Sequence, residues 1–481
     1  MPSGDTASRT GYGLRTRCLS FSETLSQSVA NVAPTLTPLI TVSLVFASAG
    51  NGTWFAYLFG TIGLALVGLN INQFARRSAS PGSLYTFVTR GLGMASGFLS
   101  GWCLILAYLC TGMAVLAGAV NYGALLLAMV RLQVHPVILF GVGAAVAWYI
   151  AYRDIRLSTQ LMLGLEATSM VIILVLGGIV LAHKGTVTDP AQFSLRGMNF
   201  SGFKAALILT IFCFVGYESA TTLGEEARHP LQNIPRAVIW SAVISGLFFV
   251  LTSYIAVLGF RGLKISLADT KAPFNDLAND AGVGFFAVIL SVGAVISAFA
   301  CALACINAGA RILFSMGRHG VVHEKIGSAH AQNATPHTAA TVSSILVFLV
   351  PVIMVCRGRG IMDVFDDLGT IATYGFMVVY ALVSVAAPVY LKRIGKLTVG
   401  SVVVSVVSVL FLIPPIVGAV YPAPEPPALY YPYYFLGYLA VGIVWFIYLS
   451  LRSRHVLERI RADLEHVSIP FEGDPETPPG A

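Results

Sequence analysis

Charge is what this chain has least of. Only 11% of its 481 residues are Asp, Glu, Lys or Arg, whereas 56% are hydrophobic and the mean hydropathy is +0.79. Soluble domains carry about 25% charged residues, so a soluble fold is excluded. No Walker A run is present, which removes nucleotide-driven pumping. No His-Glu-x-x-His or Gly-x-Ser-x-Gly site supports a membrane enzyme, and no selectivity-filter motif supports a channel. Six of the seven cysteines (Cys103, Cys110, Cys213, Cys301, Cys305, Cys356) lie in or beside apolar segments, where they read as small hydrophobes and not disulfides. Cys301 and Cys305 share a helix face, but no His or carboxylate joins them, so neither a metal nor a cofactor is expected. The formal charge of +7 sits in loops, which speaks for membrane orientation and against nucleic acid.

What is present is a series of apolar runs about 20 residues long, too long for the alternating tens of a membrane barrel. The expected class is an all-α polytopic membrane protein with 12 transmembrane helices. The segments are 21–48, 54–75, 94–130, 136–152, 158–182, 203–223, 236–260, 283–314, 338–356, 368–390, 397–420 and 432–451. The third and eighth exceed a hydrocarbon core of about 30 Å, so they are expected to tilt or project into a loop. With the N-terminus inside, 20 of the 29 Lys and Arg fall on the cytoplasmic side and eight outside. That asymmetry places both termini in the cytoplasm. Residues 1–20 read as a cytoplasmic tail and not a signal peptide, and 452–481 as a disordered cytoplasmic tail.

Two segments are interrupted. Segment one carries Asn31-Val-Ala-Pro-Thr-Leu-Thr-Pro38 at its middle, and segment six carries Val215-Gly-Tyr-Glu-Ser219. Pro34 and Pro38 lack a backbone N–H and are expected to free the carbonyls of Ala30 and Pro34. Freed backbone groups at membrane depth are tolerated only beside a cavity or buried protein. Freed amides at half-helix N-termini favour anions and freed carbonyls favour cations, so a zwitterion or an amine is the natural ligand. Two carboxylates need a partner or a function. Charged residues at a helix centre cost roughly 2.5–3.5 kcal/mol on insertion scales. Glu218 lies within segment six, and Glu166 lies about 12 Å into segment five, near mid-depth. Both are candidates for binding a coupling ion. Glu23 and Tyr108 are weaker candidates, the first also reading as a cap on helix one and the second as a packing residue.

Three stretches carry a resemblance. They are Phe74-Ala-Arg-Arg-Ser-Ala-Ser-Pro-Gly-Ser-Leu-Tyr-Thr-Phe-Val88 with Gly97-Phe-Leu-Ser-Gly-Trp102; Phe214-Val-Gly-Tyr-Glu-Ser219 with Glu225-Glu-Ala-Arg-His-Pro230 and Ile234-Pro-Arg-Ala237; and Asn307-Ala-Gly-Ala-Arg-Ile-Leu-Phe-Ser-Met-Gly-Arg-His-Gly320. In this order, on twelve segments, the chain resembles the amino acid–polyamine–organocation (APC) superfamily of permeases. The resemblance implies a leucine-transporter-type fold: inverted five-helix repeats over 21–182 and 203–390, with helices 11 and 12 over 397–451. It implies a permease in the plasma membrane (by association, a bacterial one) that moves amino acids by alternating access, coupled to a proton or sodium ion or working by exchange. A polyamine or other organic-amine permease is the alternative, and a transporter-like sensor a more distant one.

The same resemblance places substrate between the broken helices, at Ala33, Pro34 and Thr35 and at Phe214, Val215, Gly216, Tyr217 and Ser219. Phe214 and Tyr217 are then candidates for an aromatic lid over an ammonium. Many such permeases carry a Gly-x-Gly run at the first break, whose bare amides hold the substrate carboxylate. Here Val32-Ala33-Pro34-Thr35 stands instead, which leaves room for amines without a carboxylate. Ala272-Pro-Phe-Asn-Asp-Leu-Ala278 resembles the family's short amphipathic piece before helix eight, with a structural role.

Overall fold

Where a helix starts and stops in this chain is set by a few local devices. Ser20 and Glu23 form a capping box, the Ser20 amide donating to Glu23 Oε2 at 2.7 Å, and α1 (Phe21–Val32) begins there. It ends because a proline pushes the residue before it out of the right-handed helical region. Ala33, before Pro34, sits at φ 48° and ψ 61°. The helix resumes as α2 (Leu36–Ala49). Pro38 falls in the first turn of α2, where amides have no helical partner anyway. The break is therefore the work of Pro34, and Pro38 does not interrupt α2. Nor is Ala30 O left free, since it accepts the Ala33 amide at 3.1 Å.

The computed structural model describes residues 12–153, 155–421 and 426–452, and no strand occurs among them. After α2 come α3 (Thr53–Ala75), α4 (Leu84–Leu92), α5 (Met94–Met129), α6 (Pro136–Arg153), α7 (Ile155–Lys184) and the single turn α8 (Pro190–Phe193). Then follow α9 (Phe200–Phe214), α10 (Pro230–Gly259), α11 (Pro273–Asp280), α12 (Phe286–Arg318), α13 (His337–Cys356), α14 (Ile361–Arg393), α15 (Val399–Gly418) and α16 (Tyr431–Arg452). Among the described residues, eleven stretches are long and apolar enough to cross a membrane. The first, Phe21–Ala75, has 55 residues and holds two crossings, since one takes about 20. Twelve spans result. The expected tail beyond Arg452 lies outside the described residues, as do residues 1–11 of the N-terminal one.

α5, α12 and α14 form the centre of the bundle, with α5 packed along both others. The broken pair α1–α2 threads between α10, α7, α12 and α9. α15 lies on α3 and α14, and α16 on α5 and α14. Burial follows position: 89% of the apolar window of α5 is inside the protein, against 17% for α16. The outer faces of α15 and α16 present Val403, Leu410, Leu436 and Val444, the apolar surface that lipid requires. The protein is a multi-pass helical membrane protein. α5 and α12 are long, at 36 and 33 residues, as the sequence predicts. The amphipathic piece before helix eight is α11.

Segment six departs from expectation. α9 stops at Phe214, and the connector beyond it, despite carrying Glu218, Glu225 and Glu226, is buried from Val215 to Ala227. Leu19 pairs with Ala227 as an isolated bridge, its amide donating to Glu226 O at 2.9 Å while Arg228 N donates to Leu19 O at 2.7 Å. Beneath that strap Glu226 meets Arg311, one of the cations assigned to the cytoplasmic side but only 2% exposed. Arg311 donates Nη2 to Glu226 Oε1 at 2.5 Å and Nη1 to Asn307 O at 2.9 Å. Removing one partner of a buried pair strands the other and costs about 3–5 kcal/mol, whereas an apolar pair of like volume is often neutral. Arg311→Ala is therefore expected to lower the thermal unfolding temperature of the purified protein sharply, and the double variant Arg311→Met/Glu226→Leu to recover most of the loss. Equal unfolding of Arg311→Ala and the parent would show the pair to be idle.

Candidate functional site

The two helix breaks meet. Gly216 holds φ at +85°, a conformation that side chains rarely adopt, and a Cβ there would come within 2.5 Å of Asn31 Cγ. The backbone after α9 is thus pressed onto the last turn of α1. Ser219 Oγ donates to Gln27 O at 3.1 Å, and the Ala220 amide donates to Ser28 Oγ at 2.9 Å. These bonds tie the second break to the first.

Several of the freed backbone groups have identifiable partners. At the first break, the Thr35 amide donates to Glu166 Oε1 at 3.0 Å and the Leu36 amide to Ser297 Oγ at 3.2 Å. Ser297 Oγ in turn donates to Glu166 Oε1 at 2.9 Å. A carboxylate at a helix N-terminus is favoured by the amides and by the dipole. Here that carboxylate is the chain's own. Glu166 is buried, and its Oε2 has no partner. The carbonyl of Asn31 accepts the Cys301 thiol at 3.0 Å, and that of Val32 accepts Thr37 Oγ1 at 3.0 Å. At the second break, Tyr217 O accepts Ser241 Oγ at 2.9 Å.

Glu218 sits just past that break, fully buried, and both of its oxygens are taken. Tyr108 donates to Oε1 and Tyr380 to Oε2, each at 2.7 Å. Tyr108, read from sequence as packing, thus links α5 to the break, and Tyr380 on α14 was not foreseen. Glu23 also does more than cap: its Oε1 accepts Gln160 Nε2 at 2.8 Å and Arg156 Nε at 3.2 Å, joining α1 to α7.

A cavity lies between the breaks, lined by Asn31, Val32, Ala33, Leu36, Thr37, Thr41, Thr111, Val115, Phe212, Val215, Cys301 and Phe365. Of the residues expected at the substrate, Ala33 and Val215 line it. Pro34, Thr35, Gly216, Tyr217 and Ser219 shape the breaks around it without forming its wall. Phe214 is buried against Phe249, edge-on with centroids 5.1 Å apart. The ring that faces the cavity from α9 is Phe212, edge-on to Phe365 at 5.8 Å. Nothing in the sequence distinguished Phe212 from Phe214. Only the rotation of α9 about its axis does. Neither Glu166 nor Glu218 lines the cavity, and no metal-ligating cluster occurs among the described residues.

Known proteins agree with this architecture. Solved structures of mutants of the Eremococcus coleocola manganese transporter match it with a TM-score of 0.57, covering 92% of this chain and 95% of theirs at 12% identity. At that identity the likeness is one of fold. The branched-chain amino acid permease BcaP of Bacillus subtilis is 25% identical over 365 residues, 72% of this chain and 75% of its own. The low-affinity putrescine importer PlaP of Escherichia coli is 25% identical over 291 residues, 58% and 63% respectively. The methylthioribose transporter of Bacillus subtilis is 23% identical over 374 residues, 74% and 77%. The amino acid permease model matches residues 23–460, nearly the whole chain, and the protein is a membrane transporter that belongs to the amino acid permease family.

Proposed function

We propose that this transporter carries neutral amino acids with apolar side chains, leucine among them, by alternating access across the plasma membrane of a bacterium. The observation that carries the reading is the cavity wall. Leu36, Val115, Phe212, Val215 and Phe365 offer an apolar envelope, and no charged side chain is part of it. A site of mostly apolar surface with a few placed polar groups suits a small zwitterion with a hydrophobic tail. A diamine would bring two positive charges and no anion, and the wall has no carboxylate to meet them. The B. subtilis relative named as a branched-chain amino acid permease points the same way.

In this reading 21–182 and 203–390 are two inverted halves, 397–451 adds two helices, and both termini are cytoplasmic. Substrate sits between the breaks that open each half. Ala33 and Val215 contribute to its wall, Gly216 sets the approach of the halves, and Pro34, Thr35, Phe214, Tyr217 and Ser219 hold the broken backbone in place.

Coupling by a proton falls to Glu166. Its Oε1 is fixed by the Thr35 amide and Ser297, while Oε2 is free to carry the proton. Ionised, it anchors α2 to α7 and α12; protonated, it holds the amides less firmly and lets the first break move. Glu218, with both oxygens engaged by phenols, reads instead as the fastener of the second break to α5 and α14. The two ionisable groups near the breaks thus divide into one that moves and one that holds.

Two outcomes are expected in proteoliposomes. Glu166→Gln flattens the pH dependence of leucine uptake while leucine binding is kept, and an unaltered pH profile would remove Glu166 from coupling. Gly216→Ala places a Cβ against Asn31 and forces a left-handed conformation costing about 1–2 kcal/mol, so uptake is lost while the protein still assembles. Parental uptake by this variant would show that the contact between the breaks is not needed for transport.

A further inference from the structure

The cavity wall holds one uncommitted donor. Its polar side chains are Asn31, Thr37, Thr41, Thr111 and Cys301, and each hydroxyl or thiol has a single hydrogen to give. Thr37 gives it to Val32 O at 3.0 Å, Thr41 to Thr37 O at 2.7 Å and Thr111 to Ala107 O at 2.9 Å. Cys301 gives its own to Asn31 O. The carboxamide of Asn31 is different. Its Oδ1 accepts the Cys305 thiol at 3.0 Å, and its Nδ2, with two hydrogens, meets no acceptor although the residue is only 2% exposed.

A buried donor left unmade costs about 1–3 kcal/mol, and such a group in a native protein calls for an explanation. This one is held firmly. Two thiols from α12 grip the carbonyl and the side-chain oxygen of Asn31, and Gly216 closes over its Cγ with no room for a side chain. Meanwhile the amides of Thr35 and Leu36 at the start of α2 are already occupied by Glu166 and Ser297. A substrate carboxylate entering the cavity finds those amides taken and the Asn31 amide free.

We propose that Asn31 reads the carboxylate of the transported amino acid, its Nδ2 donating to a carboxylate oxygen, and so sets the preference for amino acids over simple amines. The assignment rests on the reading of this cavity as an amino acid site. The donor is neutral, so it selects for an acceptor oxygen and not for negative charge as such. An aspartate in its place would present an acceptor to the substrate's carboxylate and attract its ammonium.

The test is equilibrium binding to the purified full-length protein, with leucine, leucinamide and isopentylamine as probes. The parent is expected to bind leucine and, more weakly, leucinamide, which keeps a carbonyl acceptor, and to bind isopentylamine least. Asn31→Asp is expected to weaken leucine about tenfold or more, the scale of losing a hydrogen bond to a charged group, and to narrow or invert its advantage over isopentylamine. Asn31→Ala weakens leucine without any gain for the amine. A merely structural role would weaken all three probes together, and an unchanged leucine-to-isopentylamine ratio in folded Asn31→Asp overturns the proposal. If neither variant folds, the parent decides: leucinamide binding no better than isopentylamine overturns it equally. A parent that binds no leucine refutes the amino acid reading itself, whereas a parent that binds leucine while Asn31→Asp keeps its ratio refutes Asn31 alone.

Discussion

A backbone amide or carbonyl released inside a bilayer has no water to turn to, so it must be satisfied within the protein. Everything distinctive about this structure follows from interrupting two membrane helices under that constraint. Pro34 ends α1, and the released groups are taken up by Glu166, Ser297, Cys301 and Thr37. The segment after Phe214 turns through Gly216, and Ser28 and Ser241 take up its amide and carbonyl while Ser219 reaches back to Gln27. These partners come from α1, α2, α7, α10 and α12. Satisfying the breaks therefore knits helices from the whole bundle around one small space.

Two carboxylates show how the same constraint yields different chemistry. Glu218 receives a phenol on each oxygen, from α5 and from α14, which ties the second break to both helices. Glu166 has one oxygen fully engaged and one without a partner, an arrangement that can change with a proton. A charged group in a membrane helix ordinarily has a partner or a function, and the hydrogen-bond pattern distinguishes Glu218 from Glu166 where residue type alone does not.

Much of this was legible in the sequence, and for physical reasons. Runs of about 20 apolar residues mark spans because the bilayer fixes their length, and Pro34 and Val215-Gly-Tyr-Glu-Ser219 mark breaks because their backbone preferences are local. Pro38 misled because a proline is harmless in a first turn, and the sequence does not reveal where α2 begins. What stayed hidden depends on distance or rotation. Tyr380 and Ser297 approach the breaks from helices far along the chain, Arg311 reads as a loop cation until Glu226 is seen against it, and Phe212 and Phe214 differ only by the angle at which α9 presents them. Asn31 opens the first break in the sequence, where nothing marks its side chain. Its free amide is visible only once every other donor in the wall has been accounted for.

If substrate occupies the space between the breaks, Cys301, which lines that space, will be shielded by it. The measurement is the rate at which a membrane-permeant maleimide alkylates Cys301, followed by mass spectrometry, with exposed Cys356 as the internal reference. Saturating leucine is predicted to slow labelling of Cys301 and leave Cys356 unaffected. Labelling of Cys301 at an unchanged rate, under conditions in which leucine is bound or transported, would place the substrate elsewhere and contradict the account.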